Sequence, residues 1–325
     1  GSRLLKEWIH YPLTDLNKIN ERLDKVSSYI KGISYKDDLI EIYDIPRITR
    51  KLILKTMLPH EMGHLEDSIL SAVSILKKEK SSLTDIGETI LKDLETNIDS
   101  YEASQINKEF EFLKGPLLHK VKEQKEDMNF AKKEINEYIK TLENKIISEL
   151  DGVSRVSLRW EKKTEKVSLI LSTSIGKQLD SRKGILKTRK RASSYEVVED
   201  EWKRISENYY LKHQKFVNKA QEIFEEYQKD LIDKYHDEFL DISRVIAQID
   251  VLQNFSEIAR DRDYNRVSLI DSEKLSFKFN KMRHVMVDES SLKEPFVPFD
   301  INTDNYNIMT LYGANSSGKS TLLKS

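Results

Sequence analysis

The 325-residue chain contains no cysteine. That excludes disulfides, thiolate metal sites and cysteine nucleophiles, and it fits a reducing compartment. Glycine and proline are scarce too, at 10 and 6 residues. With 38% hydrophobic and 34% charged residues, the mixture suits long solvent-bathed helices better than one compact globule. No apolar run approaches the roughly 18 residues that a membrane-spanning helix needs. The first residues carry no secretory-leader pattern, so a soluble cytoplasmic protein is expected, nucleoid-associated if the source is a prokaryote. A formal net charge of −1 excludes a chain that is basic throughout, so any nucleic-acid surface has to be a local patch.

What is present is helical periodicity with one interruption. Pro12, Gly32, Pro46, Pro59 and Gly87 punctuate the first hundred residues, and Leu5, Trp8 and Ile9, then Ile69, Val73 and Leu76, fall at helical spacing between them. Thr14 and Asp15 offer capping chemistry just after Pro12. This predicts a packed helical body over 1–103. A longer helical segment is expected over 104–150, broken at Gly115-Pro116, where Ile135, Ile139, Leu142, Ile146 and Leu150 form one apolar stripe. Over 151–198 the period changes to two: Val167, Leu169 and Leu171 alternate with Lys166, Ser168 and Ser172, with Ile170 out of step and turns expected at Gly152, Gly176 and Gly184. A second long helical segment follows over 199–262, inside a stretch from Ile185 to Glu294 that has neither glycine nor proline. Two long helices enclosing a β insert predict an antiparallel arm with a β tip. From 263 to 325 strands resume, with Phe277 and Phe279 in alternation.

Two features of this layout carry chemistry. The segment 151–198 holds twelve Lys and Arg against five Asp and Glu, a local charge of +7 that leaves −8 for the rest of the chain. Lys162, Lys163, Arg182, Lys183, Lys187, Arg189, Lys190 and Arg191 are the candidate phosphate contacts. Without a recognition helix or a stacking aromatic cluster, they predict grip on the nucleic-acid backbone and little base readout. Near the end, Gly313-Ala314-Asn315-Ser316-Ser317-Gly318-Lys319-Ser320-Thr321 matches the phosphate-cradling pattern G-x-x-x-x-G-K-[ST]. Residues 307–312 read as a short buried strand before it and Thr321 to Lys324 as the first turn of a helix after it. In that context backbone N–H groups face the phosphates of ATP, Lys319 neutralises their charge and Ser320 ligates Mg²⁺. A Walker B carboxylate and a water-positioning group are also needed for hydrolysis. The four residues after Thr321 cannot hold them, so residues 1–325 alone are expected not to turn over ATP, and the loop, short of parallel strand neighbours, is expected to be poorly formed.

His60-Glu61-Met62-Gly63-His64 matches the zinc-protease pattern H-E-x-x-H. Pro59 puts it at a helix start and Gly63 weakens the turn between the two imidazoles, so two surface histidines are the expected reading.

Several segments resemble the MutS family of DNA mismatch-repair ATPases. Gly1-Ser2-Arg3-Leu4-Leu5 with Trp8 and Pro12 resembles the family's G-S-R-x-L-x-x-W-x-x-x-P, and Asp44-Ile45-Pro46-Arg47 its D-[LIV]-x-R. Asp250-Val251-Leu252 with Phe255 and Ala259 resembles D-V-L-x-x-[LF]-A, and Arg283-His284 with Val287 the family's R-H-P entry to the ATPase domain. Glu294-Pro295-Phe296-Val297-Pro298 resembles E-x-F-V-P-N-D, which implies that Phe296 stacks on adenine. Phe299 replaces the usual asparagine, and the phosphate loop lacks the family's proline, methionine and one glycine. The resemblance implies a mainly α fold: a helical core, two long antiparallel lever helices carrying a small β clamp insert, and the beginning of an α/β P-loop ATPase domain. It implies double-stranded DNA as partner, mismatched or, in an alternative reading, branched, and a homodimer in the full-length protein with no membrane partner. A chromosome-tether type of coiled-coil ATPase fits less well, because its phosphate loop precedes the coil; a non-enzymatic scaffold is the remaining alternative.

Overall fold

The computed structural model describes residues 1–32, 34–105, 110–162, 167–182, 184–272, 276–285, 297–303, 308–314 and 318–324. They form two compact units, 1–13 with 21–264, and 14–20 with 265–325.

Seven helices occupy the first 104 residues: α1 (Ser2–His10), α2 (Leu16–Lys31), α3 (Lys36–Ile40), α4 (Ile45–Ile53), α5 (Pro59–Lys78), α6 (Thr84–Asn97) and α7 (Ser100–Ser104). Their starts follow the capping chemistry of the sequence. Asp15 Oδ1 accepts from the amides of Asn17 and Lys18 at 2.9 and 3.2 Å, and Asp44 Oδ1 accepts from Arg47 at 3.1 Å with Pro46 in the first turn. Leu65, Ile69, Ala72, Ile75 and Leu76 of α5 are fully buried with Ile90 of α6. Each leucine and isoleucine among them contributes about 1.5–3 kcal/mol relative to exposure.

The long helix expected from about residue 104 begins later. α8 (Gly115–Lys120) precedes α9 (Lys122–Glu149). Ile98 bridges Leu113, and Gly115 takes φ +51° where a Cβ would lie 2.4 Å from the Thr96 carbonyl oxygen. The chain therefore turns at that glycine and cannot continue one helix through it. In α9 the stripe of Ile135, Ile139, Leu142, Ile146 and Leu150 is buried as the spacing predicts.

The insert consists of β1 (Arg159–Lys162), β2 (Val167–Leu171), α10 (Thr173–Ser181), β3 (Thr188–Lys190) and β4 (Tyr195–Val197). The strands form an antiparallel sheet in the order β1-β2-β4-β3. Gly152 and Gly184 lie in turns, but Gly176 does not: it sits inside α10, where a Cβ would come within 2.2 Å of the Tyr195 ring. It is the contact point of helix on sheet.

α11 (Asp200–Asp261) is a 62-residue helix, about 90 Å long. Its first half runs antiparallel to α9. Trp202 stacks on Tyr138 at 6.0 Å, Arg204 pairs with Glu134 at 3.2 Å and Lys212 pairs with Asp127, while Glu226 pairs with Lys120 at the end of α8 at 3.6 Å. As the α11 number rises, the α9 number falls. From Gln228 onward α11 is anchored in the helical body: buried Gln228 accepts from the Met57 amide at 3.3 Å and buried Gln253 from the Tyr35 amide at 3.4 Å.

In the second unit, β5 (Lys278–Met282) pairs antiparallel with β6 (Phe299–Asn302), and α12 (Lys319–Lys324) follows. Residues 308–312, expected as a buried strand, are not in a sheet, and Tyr312 is 90% exposed. Among the described residues no strand pairs with them, so their backbone groups stay in solvent. Also among the described residues, no helix is long and apolar enough to cross a membrane.

Gly176→Ala is expected to destabilise the protein by about 1–3 kcal/mol through overpacking against Tyr195, read as a lower denaturation midpoint at unchanged m-value. A second expectation concerns Glu61 of the H-E-x-x-H segment. It is committed to structure: its carboxylate accepts from the Leu58 amide at 3.0 Å and pairs with Lys51. Burial pushes its pKa up, but the Leu58 amide and Lys51 outweigh burial and hold it below the ordinary glutamate value. A lowered folded-state pKa gives stability that is present above the unfolded carboxylate pKa of about 4.3 and is lost as pH falls. Glu61→Gln should remove about 1 kcal/mol at pH 7 and flatten the acid limb of a pH–stability curve.

Candidate nucleic-acid interface and phosphate loop

The sheet of the insert has two unlike faces, set by the period of two. Directly paired residues share a face, so Trp160, Leu169, Leu171, Tyr195 and Val197 lie together. This apolar face meets α11, with Trp160 edge-on to Tyr209 at 5.4 Å, and α10, through Tyr195 and Gly176. The opposite face carries the row Arg159–Ile170–Glu196–Arg189 across all four strands. Three strand spacings put the two arginine backbones about 14 Å apart.

The predicted cations divide by what they touch. Arg191 chelates the buried carboxylate of Glu196, at 2.8 Å from Nη2 and 3.2 Å from Nε, and donates to Ser168 Oγ at 3.1 Å. Ser168 in turn donates to Glu196 at 3.0 Å. This closes a charged network on a sheet face and satisfies a carboxylate that burial would otherwise penalise. Arg182 caps the end of α9, donating to the Glu149 carbonyl at 2.6 Å and pairing with Asp151 at 2.6 Å. Lys187 lies 3.8 Å from Asp200, while its amide donates to Glu199 at the start of α11. Lys162 Nζ sits 3.0 Å from Nε2 of the buried His213. Arg182, Lys187 and Lys162 thus hold the insert to the arm, and Arg191 ties two strands of the insert together.

Arg189 and Lys190 are exposed and make no side-chain hydrogen bond or ion pair among the described residues. Arg155, Arg159 and Lys177 are in the same condition, although no pattern in the sequence singled them out. The signal that separates bound from free cations is the position of carboxylates brought in from other elements, as Asp151 and Asp200 are, and spacing does not report that. Lys163 and Lys183 lie outside the described residues, as do Phe296, Asn315, Ser316 and Ser317.

Of the phosphate loop, Gly313, Ala314, Gly318, Lys319, Ser320 and Thr321 are described. Gly318 adopts φ +88°, the left-handed region that favours glycine. Lys319 Nζ donates to the carbonyls of Gly313 and Ala314, folding the ammonium back across the loop. Ser320 and Thr321 lie in the first turn of α12. A left-handed glycine followed by an ammonium and two hydroxyls is a donor set that suits a nucleotide phosphate and its Mg²⁺.

A helical body, an antiparallel two-helix arm and a basic β insert at the arm's end make up a mainly helical core-and-arm domain. The pattern of the family described as MutS domain III matches residues 1–256. The chain belongs to that family. It is 25% identical over 342 aligned residues to the protein named DNA mismatch repair protein MutS of Clostridioides difficile (strain 630), with all of this chain and 35% of that protein covered. The protein of the same name from Streptococcus suis (strain 98HAH33) is 26% identical over 341 residues, covering all of this chain and 39% of the relative. That of Caldicellulosiruptor bescii is 24% identical over 339 residues, with 38% of the relative covered. The chain thus spans 35–39% of the length of these curated relatives.

Arg191→Ala should cost about 1–3 kcal/mol by leaving Glu196 buried without its cation, measured by urea unfolding. Arg189→Ala, which strips no partner, should fall within about 0.5 kcal/mol of the parent.

Proposed function

We propose that this chain is the core, lever and clamp part of a MutS-type mismatch-repair ATPase, with the β insert as the clamp that holds duplex DNA by its backbone. The observation that carries the reading is the set of unpaired cations on the insert. Among the described residues, Arg155, Arg159, Lys177, Arg189 and Lys190 are exposed with no carboxylate partner, whereas Arg182, Lys187 and Arg191 are tied into the structure. The spacing of about 14 Å between Arg159 and Arg189 is close to the roughly 12 Å width of the DNA major groove, so the two can reach phosphates on either side of one groove. With no recognition element among them, the contact is electrostatic and independent of sequence.

The domain division follows the same reading: core over 1–103, lever over 104–150 and 199–262, clamp over 151–198, and the start of an ATPase domain over 263–325. At the phosphate loop, Gly313 to Thr321 would hold ATP, with Lys319 on the phosphates, Ser320 on Mg²⁺ and Phe296 against adenine. Bound ATP supplies the differential binding energy that biases the lever between arrangements in a full-length homodimer. This chain's own part is to bind and orient the phosphates through Lys319 and the loop amides. The names of the relatives support mismatched duplex as the preferred DNA.

The test is fluorescence anisotropy of the chain with matched, mismatched and branched duplexes over a salt series. Replacing both Arg159 and Arg189 by Ala should weaken binding to every duplex and reduce the magnitude of the salt slope by about 1.8, two phosphate contacts' worth. Arg182→Ala should leave the slope unchanged. Preference for branched DNA would redirect the reading to recombination intermediates, and no binding at low salt would defeat it.

A further inference from the structure

α11 passes through Tyr235 at φ −132° and ψ 15°, outside the helical region, in the middle of an otherwise continuous helix. Breaks of this kind have few causes: proline, glycine, a π-bulge, or a side chain inserted into the ladder. Neither proline nor glycine occurs from Ile185 to Glu294. The surroundings of this turn are what set it apart. Asp93 of α6, only 14% exposed, accepts from the Tyr235 hydroxyl at 3.1 Å through Oδ2 and from the Tyr227 hydroxyl at 3.3 Å through Oδ1. Lys234 Nζ lies 3.6 Å from the same Oδ2. Asn97, one turn along α6, donates to Oδ1 at 2.8 Å and fixes the direction of the carboxylate. Phe239, fully buried, packs edge-on to Tyr235 at 6.4 Å and holds the turn that follows.

One carboxylate therefore grips α11 two turns before the break and at the break. Burial first, and the Asp93 charge second, raise the pKa of both phenols above the ordinary value, so both remain donors through neutral pH. We infer that Asp93 is a positioning residue that sets the bend of α11: the angle between the helix's two halves is imposed from α6 and is not encoded in α11's own sequence. The bend goes beyond the DNA reading. Its use rests on that reading, because a lever bent by one releasable cluster has two discrete arrangements for a nucleotide to choose between.

The chain has no cysteine, so Lys215→Cys with Gln248→Cys places two spin labels at exposed positions either side of Tyr235 without background. Double electron–electron resonance on residues 1–325 reads the distance between them. With Asp93 intact a single narrow distribution is expected. Asp93→Ala should shift it to longer distance and broaden it as the helix straightens. Asp93→Asn should bring the distance back toward the parent value, because its amide oxygen can accept from the Tyr227 hydroxyl in the place of Oδ1 while its amide N–H donates to the Tyr235 hydroxyl oxygen in the place of Oδ2; a general loss of packing would not be rescued in this way. If Asp93→Ala does not fold, Tyr235→Phe, which deletes only a hydroxyl, should give a smaller shift in the same direction. A folded Asp93→Ala protein with the parent distribution, or an unmoved Tyr235→Phe distribution, would overturn the inference. The readout needs neither DNA nor nucleotide, so absence of DNA binding would count against the proposed function and leave this result intact.

Discussion

A helix as long and as polar as α11 gains little from its own sequence, since most helical stability in proteins comes from packing of an apolar face. Its persistence over 62 residues depends on a buried stripe that changes partners along its length. The first half lies on α9 and the β insert, through Trp202 on Tyr138 and Tyr209 on Trp160. From Gln228 onward α11 lies in the helical body, with Gln228 and Gln253 satisfying loop and helix-start amides and Phe255 beside Trp8. Remove either set of partners and the remaining half has no reason to keep its direction. The insert, the arm and the body are thus joined by one continuous backbone element.

Electrostatics on the insert follow from what α9 and α11 bring to it. The end of α9 and the start of α11 bring Asp151 and Asp200 to Arg182 and Lys187. Exposed pairs of this kind contribute little to stability, about 0–1 kcal/mol. Their effect here is to remove some cations from solvent and leave others. The Arg191–Glu196–Ser168 network differs, because it is half-buried and each member satisfies another. What stays free is a smaller and more directional positive surface than the charge count alone indicates.

Much of this was legible in the sequence. The apolar steps from Ile135 to Leu150, the alternation of Val167, Leu169 and Leu171, and the glycine- and proline-free stretch after Ile185 all report local periodicity, and local periodicity determines helices, strands and their order. The break at Gly115-Pro116 was legible too, but the chain just before it is not helical, because Leu113 bridges Ile98, a contact that spacing does not show. α10 was missed because nine residues give too short a period to separate from a turn, and because Gly176 serves a ring packed on it. The strand expected at 307–312 failed for a tertiary reason: β pairing needs neighbours. At the candidate site, the charge excess located the insert, but the division between Arg191, which is bound, and Arg189, which is free, arises from carboxylates distant in sequence or across a strand.

Amine-reactive footprinting of lysines, with and without saturating duplex DNA, tests the central claim most directly. The account predicts that Lys177 and Lys190 on the insert are protected from modification, while Lys215 and Lys229, exposed on α11 away from it, react as they do in the free protein. Protection of Lys215 and Lys229 with full reactivity at Lys177 and Lys190 would contradict it, and would move the DNA from the clamp to the arm.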